Sequence, residues 1–169
     1  MKNFIAVVII GVLLCSGLGA VGTTIHGYNL KETTETLAFS PPLIQDQGRY
    51  TLVTVENTNA WLRTVGAPML PAMVTTYTLP FGTRIKTVAV TFSDPQTITL
   101  SKAIVPTPAP VTDEKTIAIQ EELPPLESIY PAVHYDYNLG AGISNENHVV
   151  YLTIRCFPLQ YSPADQTIL

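Results

Sequence analysis

Val149-Val150-Tyr151-Leu152-Thr153-Ile154-Arg155-Cys156-Phe157 is the longest apolar run of the C-terminal half of the chain. Val150, Leu152, Ile154 and Cys156 fall on one side of an extended backbone. Val149, Tyr151, Thr153, Arg155 and Phe157 fall on the other. A strand alternates its side chains with period two. Apolar residues on much of both sides therefore mark a strand placed centrally in a sheet.

Outward from this run the same period recurs. Val133, Tyr135, Tyr137 and Leu139 alternate with His134, Asp136 and Asn138, which predicts a half-buried strand with one wet face. Gly140-Ala141-Gly142 and Ser144-Asn145-Glu146-Asn147 carry loop chemistry. Thr83 to Ser93 places Val88, Val90 and Phe92 on one face. Tyr50 to Val55 and Met73 to Leu79 read as strands, and Thr97 to Ser101 as a short one. Asn57-Thr58-Asn59, Pro80-Phe81-Gly82 and Asp94-Pro95 are turns. No helical stripe of ordinary length follows residue 25. Strands and turns at this spacing predict an all-β fold, an antiparallel two-sheet β-sandwich. Its expected core includes Val88, Val90, Phe92, Val150, Leu152, Ile154 and Cys156.

The first 22 residues have a different character. Lys2 supplies a positive charge, Phe4 to Leu14 is apolar apart from Gly11, and Ser16, Gly17, Gly19, Ala20 and Gly22 are small. This is the layout of a secretory signal peptide, with cleavage expected after Ala20 or Gly22. The rival reading is an uncleaved anchor, but the run is short for about 30 Å of hydrocarbon. A lipoprotein signal using Cys15 is disfavoured by bulky Leu14. The organisation is then a signal peptide (1–22), an N-terminal segment with one short strand (23–48), and the sandwich (49–169). Export makes the protein secreted or surface-exposed, with membrane contact only through the signal segment.

Cysteine and charge exclude several functions. Cys156 is the one thiol beyond the leader, so that part has no internal disulfide. With Lys2 excluded, eight basic residues face thirteen acidic ones, and no basic stripe exists for nucleic acid. Cys156 inside an apolar strand reads as a core thiol, not a nucleophile, and His26, His134 and His148 have no motif context. His134 and Asp136 at i, i+2 offer two metal ligands without a third. Asp136, Asn138, Asn145, Glu146 and Asn147 supply oxygens without a calcium-loop signature. No cofactor is expected.

Proline frames the strands. Gly66-Ala67-Pro68-Met69-Leu70-Pro71 is followed by Leu79-Pro80-Phe81-Gly82 and, near the end, Phe157-Pro158-Leu159-Gln160-Tyr161-Ser162-Pro163. In order and spacing these segments resemble the N-terminal prodomain of gingipain-family cysteine peptidases, with its G-x-P-x-L-P, L-P-x-G and P-x-Q-Y-x-P segments. Gly66, Pro68, Leu70, Pro71, Leu79, Pro80, Gly82, Pro158, Gln160, Tyr161 and Pro163 carry the resemblance, which covers Trp61 to Leu169. It implies a non-catalytic domain that assists folding of a gingipain-like peptidase and masks its active site, in cis or in trans. The catalytic His and Cys would belong to a separate domain.

Pro106 to Pro125 fits that role. It combines five prolines with Asp113, Glu114, Glu121 and Glu122 and has no period, which predicts a long extended loop. Lys115 is its one basic residue. The resemblance implies an inhibitory loop that places a basic side chain in the peptidase's specificity pocket, and Lys115 is the candidate. The family pattern has arginine there, and the plain alternative is a solvated linker lysine. The competing function is an extracellular adhesion or ligand-binding module, with Trp61, Tyr135 or Tyr137 as an aromatic platform. An independent hydrolase has no residue support.

Overall fold

The computed structural model describes residues 6–16, 29–93, 95–109 and 129–169; for 6–16 and 29–31 it gives backbone course and pairing only. Among the described residues there are twelve strands, in chain order: β1 (Ala6–Ser16), β2 (Asn29–Phe39), β3 (Leu43–Gln47), β4 (Tyr50–Thr54), β5 (Ala60–Leu62), β6 (Leu70–Pro80), β7 (Thr83–Thr91), β8 (Ile98–Thr99), β9 (Tyr135–Ser144), β10 (Asn147–Cys156), β11 (Tyr161–Ser162) and β12 (Thr167–Ile168). There is no helix among the described residues. The strands form several sheets, β2-β1-β7, β5-β6-β10-β9, β11-β12-β8 and the hairpin β3-β4. Each strand pairing is antiparallel.

The all-β expectation holds, and β10 lies between β6 and β9. Leu152, Ile154 and Cys156 are almost fully buried. They join one apolar cluster fed by every sheet: Phe39 from β2, Val53 from β4, Leu70 from β6, Val88 from β7 and Ile168 from β12. Val90 and Phe92 are half-buried against it. Val150 is half-buried, whereas Val149, expected on the other face, is buried.

A register shift refines β7. The pairing passes from Leu13 opposite Thr87 to Leu14 opposite Ile85, so Lys86 is the extra residue of a β-bulge. The bulge resets the alternation, and Ile85 joins Val88 and Val90 against the core.

Three readings are corrected. Gly140-Ala141-Gly142 and Ser144 are not loop but the second half of β9, paired with β10 down to Ser144 opposite Asn147. The turn is only Asn145-Glu146, both with positive φ (47° and 66°), as a two-residue hairpin of primed type requires. Gly142 makes room for the Tyr151 ring, which a Cβ there would meet at 2.7 Å and displace. Second, Val133, Tyr137 and Leu139 are exposed. β9 is an edge strand, so its apolar row runs beyond the shared core, and only Tyr135 packs inward. Third, residues 23–48 contain two strands, not one short one. β3 escapes period reading because all five of its residues are exposed. Its hairpin to β4 turns at Gly48 (φ 71°), whose N–H donates to Asp46 Oδ1 at 2.8 Å.

Candidate functional site

Residues 110–125 of the proline-rich loop, with Lys115, lie outside the described residues. The described flanks, up to residue 109 and from residue 129, each pair with a proline-bearing segment of the chain. On the outgoing side, Gly66 takes φ of 78°, a left-handed conformation that favours glycine. Its N–H donates to Thr107 O at 2.8 Å, Thr107 N–H donates to Ala67 O at 2.8 Å, and Met69 N–H donates to Val105 O at 2.8 Å. Pro68 and Pro106 form the bridge between the two segments. Proline lacks a donor, so both can face each other where their neighbours supply the hydrogen bonds. One step back, Val105 N–H donates to Thr51 O at 2.9 Å and Thr51 N–H to Ala103 O at 2.8 Å, tying the segment to β4.

On the returning side, Tyr130 and Tyr161 exchange backbone hydrogen bonds of 2.8 and 2.7 Å. Gln160 Nε2 donates to Pro131 O at 2.8 Å. Tyr130 Oη then donates to Thr64 Oγ1 at 3.0 Å, which links the returning flank to the segment that holds the outgoing one. Two of the three proline motifs, Gly66–Pro71 and Pro158–Pro163, therefore converge at the base of the loop. The third, Leu79 to Gly82, lies at the far end of β6, roughly 30 Å along the strand. There Gly82 has φ of 83° and Thr83 Oγ1 donates to Pro80 O at 2.6 Å. Each described flank is held by backbone pairing, and the Tyr130–Thr64 side-chain bond links the two.

The other candidate residues do not assemble into a catalytic centre. Burial pushes the Cys156 thiol up to about 11, with the nearby Asp136 carboxylate adding to it. The thiolate, the reactive form, is thus suppressed at neutral pH. His134 stacks on Phe92 with ring centroids 4.5 Å apart, and its buried Nδ1 has no hydrogen-bond partner. Asp136 is engaged by Arg155, whose Nε and Nη2 reach its two oxygens at 2.6 and 2.5 Å. That hydrogen bond, ahead of the charge attraction, raises the guanidinium pKa further. His134 thus packs on Phe92 while Asp136 pairs with Arg155 across the hairpin. Among the described residues no three His, Cys, Asp or Glu gather as a metal site. Asn145 and Glu146 form the hairpin turn, and Asn147 Nδ2 donates to the Asn145 backbone O at 2.9 Å. His148 packs on Phe81 with centroids 5.5 Å apart. His26 lies outside the described residues.

The aromatic-platform residues are also dispersed. Trp61 is half-buried in β5, and Tyr135 turns inward to donate to Val88 O at 3.1 Å. Only Tyr137 is exposed. An open groove of about 580 Å³ beside it is lined by Val90, Phe92 and β9 residues 135–137. Sequence reasoning missed the Thr64–Tyr130 contact, which joins residues 66 positions apart and carries no local signal. It also missed the Asp136–Arg155 pair, which the hairpin register alone puts side by side.

No protein-family model matches the chain. No curated protein matches it either. Among solved structures, it is similar to one described as giving structural insight into the zymogenic latency of gingipain K from Porphyromonas gingivalis. The TM-score is 0.48 and the identity 12%, over 91% of this chain and 84% of that one.

Proposed function

We propose that this chain is an exported, non-catalytic prodomain that masks the active site of a gingipain-like cysteine peptidase and assists its folding. The supporting observation is the convergence of Gly66–Pro71 and Pro158–Pro163 on the two flanks of the proline-rich loop. Two of the segments that carry the family resemblance thus pair with the described flanks of the loop. A loop held at both flanks by backbone pairing enters a cleft with less entropy to lose than a free one. Binding to the folded peptidase alone also stabilises it by mass action. In this reading Lys115 occupies the specificity pocket, and the catalytic His and Cys belong to a partner domain, in cis or in trans.

The test is inhibition of a gingipain-type peptidase by the exported domain added in trans. Wild type is expected to inhibit, deletion of residues 110–125 to weaken inhibition strongly, and Lys115→Ala to weaken it if that side chain fills the pocket. Equal inhibition by Lys115→Ala removes Lys115 from the mechanism, and equal inhibition by the deletion removes cleft blocking altogether. The second reading, an extracellular ligand-binding module, is favoured by the exposed row Tyr137, Leu139 and Ile143 on β9, with exposed Val133 just before the strand. Such a module would leave peptidase activity unchanged and lose its ligand on substitution of that row.

A further inference from the structure

β1 occupies a place that conflicts with its sequence. It pairs with β2 over eleven residues, from Ala6 opposite Phe39 to Ser16 opposite Asn29. It also pairs with β7, from Ile9 opposite Thr91 to Ser16 opposite Thr83. It is the middle strand of its sheet, and among the described residues no other strand pairs with either neighbour. Yet Ala6–Ser16 is the apolar stretch of the leader, which secretion would remove. We propose that the space between β2 and β7 is a strand-acceptor slot. It empties on leader removal and is refilled by an extended segment of a partner protein. This rests on the leader being cleaved, and it is independent of the proline-rich loop.

The walls of the slot are held without β1. From β2, Phe39 is buried and Leu37 packs on the core cluster; Glu35 accepts a hydrogen bond from Tyr77 Oη of β6. From β7, Val88 is buried, Ile85 and Val90 pack on the cluster, and Val88 O accepts from Tyr135 Oη at 3.1 Å. Both neighbours run antiparallel to β1, so they are parallel to each other. Without β1 they stand about 9–10 Å apart, two strand spacings. Direct closure would pull both from these anchors into a parallel ladder. An inserted antiparallel strand satisfies both edges in place, the logic of strand addition.

The occupant's chemistry follows from the register. Val12 stands opposite Val88, Ile10 opposite Val90 and Val8 opposite Leu37. An inserted segment therefore needs aliphatic, preferably β-branched, residues at three successive alternate positions, no proline, and two free edges. The last requirement argues against a second copy of this chain: β9, an edge strand with exposed apolar residues, already commits one edge to β10.

The probe is a synthetic peptide of residues 6–16 carrying Cys15→Ser and flanking lysines, titrated into the exported chain. Mass spectrometry first establishes that this chain lacks residues 6–16. The expected result is saturable one-to-one binding, a raised Tm, and slowed amide exchange in 83–91 and 32–39. Aspartate in place of Ile10 and Val12 should weaken binding at least tenfold. A peptide with Gly11→Cys should form a disulfide with an Ala89→Cys domain, its register partner, and not with a Thr91→Cys domain. An exported chain that keeps residues 6–16 overturns the proposal through the leader reading. A chain without them that retains its β-sheet circular dichroism but binds no peptide overturns the slot itself. Equal binding of the aspartate peptide, or equal cross-linking at 89 and 91, overturns it as well.

Discussion

Cys156→Ala should destabilise the protein at neutral pH and cease to do so in alkali. Cys156 is 1% exposed and packed in the common cluster with Leu152 and Ile154. Removing its sulfur leaves a small cavity, which costs about 1–2 kcal/mol. The pH dependence follows from the thiol. Its ordinary value is 9.0, and burial raises it to about 11. Between those values the native state keeps a proton that the unfolded chain has lost, so stability falls as pH rises. The contribution is fully present below pH 9 and is lost as pH passes through 11. The wild type therefore sheds about 1.4 kcal/mol by pH 10 that the alanine variant does not. Tyr77, pushed up by burial and then by its bond to Glu35, and Tyr161, pushed up by burial, are present in both proteins, so their effects cancel apart from the smaller influence of the Cys156 charge on Tyr77. Urea unfolding at pH 7, 9 and 10 should show the gap shrinking and closing near pH 10. A gap of constant size, or rapid alkylation of the native thiol by iodoacetamide at pH 8, would refute the buried-thiol account.

Other expectations follow from the same structure. Leu152→Ala, at a position with 0% exposure, should cost about 2–5 kcal/mol in urea unfolding. Asp136→Asn should cost less than about 1 kcal/mol, since its pair with Arg155 is largely exposed, and the loss should shrink further in high salt. Tyr130→Phe removes the hydroxyl that reaches Thr64 and should change global stability by no more than about 1 kcal/mol; on the proposed masking role it should weaken inhibition in trans, because that contact links the two described flanks of the loop. Gly142→Ala should displace the Tyr151 ring and break its bond to Ile143 O, costing on the order of 1 kcal/mol, read from thermal unfolding.

The sequence was most legible where one strand face enters the shared core. Leu152, Ile154 and Cys156 follow the two-residue period and are buried, and Val88 likewise. Legibility failed where the cause is non-local. Gly140 to Gly142 carries turn residues, yet the Asn145-Glu146 turn sets a register that extends the ladder through them. β3 is a strand because it pairs with β4, not because it buries a face. The apolar row of β9 is exposed although its pattern suggests burial, because period two says which residues share a face but not whether anything covers it. At the candidate site, the proline motifs were visible, but their convergence depends on Tyr130 reaching Thr64 and on Thr107 pairing with Gly66 and Ala67, contacts between distant parts of the chain.

The central claim is that the domain covers a peptidase active site with its proline-rich loop. The most direct measurement is the rate at which a thiol-reactive active-site probe labels the catalytic cysteine of a gingipain-type peptidase saturated with the exported domain. The account predicts strong protection by the intact domain and near-complete loss of protection on deletion of residues 110–125, with the deleted domain still folded. Labelling at the rate of the free enzyme while the intact domain is bound would contradict it.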